Sequence, residues 1–199
     1  QVTVRGLCEK EVSANKVTWP IVTKEVGNDL SAIYNKIQTT NSAISEFLLR
    51  NGIEESEISI SAPSVYDNAA ERYSSNNNPY RYMVTNVVVV TSPKVEQVRQ
   101  LIARQTELMR QGIAVVAGDY NYSTTYEYTD LNTIKPEMIA EATAAAREAA
   151  DKFAADSRSR LGGIKTASQG QFSISDRDQY TPQIKTVRVV TSITYSLED

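Results

Sequence analysis

The 199-residue chain predicts an α+β fold, a largely antiparallel sheet with three helices packed on it. Three observations carry this expectation. Stretches that alternate apolar and polar residues, the period of a half-buried strand, outnumber those with helical spacing. Each helical stretch is closed by glycine followed by isoleucine, at Gly52-Ile53, Gly112-Ile113 and Gly163-Ile164. Behind each stop the pattern turns strand-like. The order therefore reads ββαββαβαββ, in which residues 16–128 alone read β-α-β-β-α-β, the order of a ferredoxin-like split unit.

Each element has a local reason. Residues 2–12 and 16–26 alternate around Ser13, Ala14 and Asn15, which predicts a β-hairpin. Asn28 offers an N-cap oxygen, and Leu30, Ile33, Ile37, Ile44, Phe47 and Leu48 then recur on one helical face, with Lys36, Gln38, Asn41 and Glu46 on the other. A strand over 57–65 follows. Residues 67–80 are polar and turn-rich, a surface excursion that would mark the boundary between lobes 1–80 and 81–199 of one domain. Tyr82 to Thr91 is β-branched enough to be a buried strand, and Ser92-Pro93 opens a helix with Val95, Val98, Ile102 and Met109 as its stripe. A third helix runs from near Pro136 to Gly162 on a buried face of alanine, with Ile139, Phe153 and Leu161 as anchors. Arg147 with Asp151, Glu148 with Lys152 and Asp156 with Arg160 are spaced as surface pairs. Strands over 164–175 and 185–195 flank the loop SDRDQYTP.

Composition narrows function. The formal charge of −3, with basic residues scattered, argues against nucleic-acid binding. No apolar run approaches the ~20 residues of a membrane-spanning helix. The chain has no histidine, which removes Ser-His-Asp and Cys-His machinery together with the commonest zinc ligand. No glycine pattern cradles a nucleotide, and no cofactor is expected. Cys8 stands alone in an alternating strand, where packing rather than reactivity is expected of it. Gln1 at the first position suggests a trimmed product with a signal or anchor removed.

The most polarised stretch is DYNYSTTYEYT, residues 119–129. On a strand, Tyr120, Tyr122, Tyr126 and Tyr128 would share one face, with Asp119, Asn121, Ser123, Thr125 and Glu127 on the other. Such a face could cover a helix or sheet, or meet a second subunit, since tyrosine combines area with a polar tip. Trp19 precedes Pro20 inside the second strand, and proline there implies an edge or a bulge.

The text LNTIKPEMIAEATAAAREAADKFAADSRSRLGGIKTASQGQFSI, with KTVRVVTSITYSL after it, closely resembles the C-terminal half of bacterial SIMPL-domain proteins. VTVRGLCEKEVSANKVTWPI, FLLRNGI and EISISAPSVYD resemble the front half in the same order. The resemblance implies one SIMPL domain over 1–199, in the periplasm or cell envelope, with some relatives linked to oxidative-stress defence and one assembling into a hollow ring. It implies no catalytic residue. The expected function is therefore non-enzymatic, a homo-oligomeric scaffold with Trp19, Tyr120, Tyr122, Tyr126 and Tyr128 near an interface. The alternative is a module for a small ligand or an envelope protein partner, with loops 67–80 and 176–183 as contact surfaces.

Overall fold

The computed structural model describes residues 1–71, 77–117 and 119–198. In chain order its elements are β1 (Val2–Ser13), β2 (Lys16–Gly27), α1 (Leu30–Arg50), a 3-10 turn (Glu55–Glu57), β3 (Ile58–Ile60), β4 (Ser64–Asp67), β5 (Tyr82–Ser92), α2 (Val95–Ala103), α3 (Thr106–Arg110), β6 (Thr125–Glu127), α4 (Leu131–Asp156), β7 (Arg160–Gln169), β8 (Ser173–Asp176) and β9 (Ile184–Glu198). Helices and antiparallel strands make this an α+β protein, as the sequence predicts. They form two units, Gln1–Ala14 with Glu127–Asp199, and Asn15–Tyr126. Residue 80, the expected lobe boundary, falls inside the second.

In the first unit β9 is central, with β1 along one side and β7 then β8 along the other. Helix α4 buries Met138, Ala142, Ala146, Ala150 and Ala154, one residue per ridge step of four, against Val4, Cys8, Val187, Val189, Ile193 and Tyr195. The approach is close because the facing side chains are small. A Cβ on Gly6 would lie 1.8 Å from the Ala142 carbonyl oxygen, so β1 reaches the helix only with glycine there.

The second unit is the split β-α-β-β-α-β arrangement. Its sheet runs β3-β5-β2-β6, with β4 continuing the line of β3 on β5, so each helical crossover skips one strand. Val17, Trp19 and Ile21 from β2, Val88 and Val90 from β5, and Ile44, Phe47 and Leu48 from α1 form the core, closed by Val98, Leu101 and Leu108.

Two of the three glycine stops work as the sequence predicts. Gly52 (φ 86°) and Gly112 (φ 79°) close α1 and α3. Ile53 N–H donates to the Leu48 carbonyl and Ile113 N–H to that of Leu108, each at 3.1 Å, and all four side chains are buried together. The third helix departs from expectation. It ends at Asp156 with Arg158 in the left-handed conformation (φ 58°), and Ser159 N–H donates to Ala154 O at 2.9 Å. Gly162 and Gly163 lie in the bulged part of β7 instead, and Arg160, being in a strand, cannot make a helical pair with Asp156. The same helix starts a turn earlier than Pro136, because Leu131 and Ile134 pack on the core around Met138.

Other expectations are corrected. β1 and β2 are not a hairpin: β1 pairs β9 and β2 pairs β5, since alternation fixes a face but not a partner. Strand 57–65 is broken into β3 and β4, and strand 164–175 into β7 and β8. Asp29, not Asn28, caps α1 through its carboxylate, accepting from Ser31 N at 2.9 Å, while Asn28 accepts from Arg81 N. The second helix splits at Arg104, which leaves Leu108 inward and Met109 exposed. Phe153 is exposed on α4, and Asn41 is buried against Asn86.

Candidate functional site

Helices cover one face of the second unit's sheet, and on the other face, beside the buried Val22 and Val87, lies a groove of about 460 Å³. Its floor is Pro20 of β2 with Val87 and Val89 of β5, brought together because Pro20 and Val89 are directly opposed in register. One wall is the Ser61–Ser64 connection, held by the Ser61 N–H donating to Val87 O at 3.0 Å. The other wall is Asn121–Thr125. Val115 bridges Thr23, and Val116 N–H donates to Val22 O at 2.8 Å, which lays this segment along β2. The Asp119 carboxylate approaches the Lys24 ammonium at 3.8 Å and accepts from Asn121 N at 3.0 Å, so an ion pair and an Asx turn hold the wall in place. The lining itself carries hydroxyls, an amide and a tyrosine, without carboxylate or ammonium.

A second feature lies toward the Gly27 end of the sheet. Val26, Met83 and Tyr66 oppose one another across three strands and are 49%, 37% and 45% exposed. On the helix side of that end a groove of about 290 Å³ is lined by Leu30, Tyr34, Pro63 and Val65, over Ile33, Ile37 and Val84. These side chains leave the Gly27 end apolar and accessible to solvent.

The tyrosines expected on one face are dispersed. Only Thr125–Glu127 is strand, because the chain turns at Asp119–Tyr122. Tyr120 is fully exposed, Tyr122 lines the groove, and Tyr126 packs against the helix-side core, where burial pushes its hydroxyl pKa up. Tyr128 packs in the first unit's core beside Met138. Trp19 is 3% exposed, in the second unit's core. In the 67–80 loop, residues 72–76 lie outside the described residues; Asp67 pairs with Arg81, which holds its carboxyl below the usual range. In the 176–183 loop, Asp178 is drawn down to about 2 by Thr181, the Tyr180 amide and Arg177.

Cys8 is buried, its thiol donating to Glu141 at 3.1 Å, and desolvation with the neighbouring carboxylate pushes it up to about 11. Lys10 in turn bridges Glu137 and Glu141 at 2.9 and 3.2 Å. A thiol so placed is a packing group with a hydrogen bond, as expected, and a poor nucleophile. Among the described residues no helix is long and apolar enough to cross a membrane.

Fold and surface together define a two-unit α+β protein with a neutral groove and an apolar sheet end. A family model described as SIMPL, a protein of unknown function (DUF541), matches residues 2–195, and the chain belongs to that family. No curated protein matches it.

Proposed function

We propose that this protein is a non-catalytic scaffold of the periplasm or cell envelope that works by associating with itself. The observation that carries the reading is the apolar end of the second unit, where Val26, Met83, Tyr66, Leu30, Tyr34 and Val65 remain accessible. Burying them against a second copy would remove apolar surface from water at ~25 cal/mol per Å². The envelope location rests on the family resemblance. The non-catalytic reading is supported by where the perturbed acids sit: Glu141 is engaged by Cys8 and Lys10, Asp67 by Arg81 and Asp178 by Thr181, and none of them lines either groove. With the Cys8 thiol pushed up to about 11, a role in oxidative-stress defence would be indirect.

The test is native mass by light scattering after size exclusion at several concentrations. A discrete assembly, shifted toward monomer by Met83→Glu or Tyr34→Ser with the melting temperature kept, supports the scaffold. A monomer of 22.1 kDa at every concentration removes it. The neutral groove favours a second reading, a ligand-binding module.

A further inference from the structure

We propose that the groove on the helix-free face of the second unit's sheet binds an uncharged saccharide. Its volume of about 460 Å³ falls within the ~300–1,000 Å³ of small-ligand sites. Four separate segments converge on it with hydroxyls: Thr18 from β2, Thr85 from β5, Ser61 and Ser64 from the β3–β4 connection, and Ser123 and Thr125 from the wall that Asp119 tethers. Among the described residues none of these hydroxyls has a side-chain partner of its own. A hydroxyl rotates, donates one hydrogen bond and accepts two, so such a wall answers the mixed donors and acceptors around a sugar ring. The Asn121 amide adds one fixed donor and one fixed acceptor group.

The floor supplies the complementary half. A pyranose is polar at its rim and apolar on its C–H faces, and the half-buried Pro20 and Val89, over the buried Val87, form an apolar floor with the half-buried Tyr122 beside it. Charge decides against the competing ligand class. No cation lines the groove, and Lys24, opposite Thr85 in register, is already faced by Asp119, so an ionic ligand would lose hydration without gaining a counter-ion from the lining. The proposal does not depend on self-association, which uses the other end of the sheet.

Titration calorimetry of the full chain with cellobiose, maltose and diacetylchitobiose is the experiment. The expected result is saturable binding of at least one neutral disaccharide with a Kd of about 1 mM or tighter. Tyr122→Ala and Thr85→Val should each weaken it about tenfold, the change that 1.4 kcal/mol of lost contact produces, with the melting temperature unchanged. Should either variant fold poorly, Ser61→Ala at the opposite wall gives the same readout. No saturation by any of the three sugars overturns the proposal. So does binding that the variants leave intact, or a preference for a glucuronate-bearing disaccharide. Light scattering on the same samples reads assembly, so loss of the saccharide site and loss of the scaffold are separate results.

Discussion

In the first unit a 26-residue helix meets its sheet through Met138 and four alanines, whereas in the second the helices reach theirs through Ile44, Phe47, Leu48, Leu101 and Leu108. Both cover one face of a sheet, by opposite means. The alanine ridge brings backbone within contact of Gly6, so that layer is set by the absence of side chain. The Phe47 layer is set by side-chain volume. A layer of the first kind tolerates nothing added, and one of the second kind nothing removed.

The largest effect should come from emptying the second core. Phe47→Ala, at a fully buried position, should cost about 3–5 kcal/mol in urea unfolding, read by the fluorescence of Trp19 in the same core. Adding a single methyl to the first unit comes next. Gly6→Ala should cost about 3 kcal/mol, because the new Cβ would overlap the Ala142 carbonyl and backbone must move. That loss should appear in far-UV circular dichroism. If it shifts Trp19 fluorescence equally, the two layers are energetically one and the contrast fails. A smaller gain is expected from Arg158→Gly, about 1 kcal/mol, since the left-handed residue closing α4 would lose its Cβ penalty.

The smallest effect is a pH slope. Folding raises the Cys8 pKa from 9.0 to about 11, so the folded state holds this proton more tightly. The corresponding stability is complete below about pH 9 and is lost as pH rises toward 11. Cys8→Ala should flatten that part of the alkaline decline, measured as the urea midpoint between pH 8 and 10.5, and wild-type Cys8 should resist thiol reagents until the first unit unfolds.

Sequence read well what is local and poorly what is paired. The α1 stripe, the Gly52 and Gly112 stops, and the alanine face of α4 are properties of neighbours a few residues apart, and they were legible. Which strand meets which was not, because β1 and β2 alternate alike whether they pair with each other or with β9 and β5. The tyrosine parity of 120–128 misled because the turn at Asp119 breaks the strand it presumed. The groove left no motif at all. Its floor and walls come from around residues 18–20, 61–64, 85–89 and 121–125, in residue types that are common on any surface. Of its lining, the sequence marks Pro20 as a strand irregularity and Asn121, Tyr122, Ser123 and Thr125 as parts of a polarised strand, with nothing that joins them.

The pairing of β1 with β9, Val2 opposite Tyr195, also sets an order of events on the ribosome. About 170 residues separate the end of β1 from its partner, so at ~5–20 residues per second the nascent strand waits roughly 10–30 s without a mate. The whole of Asn15–Tyr126 emerges in that interval and can fold. During the wait β1 is an aggregation-prone edge, and its outward Arg5, Glu9 and Glu11 are the charges that keep such a strand from recruiting a stranger.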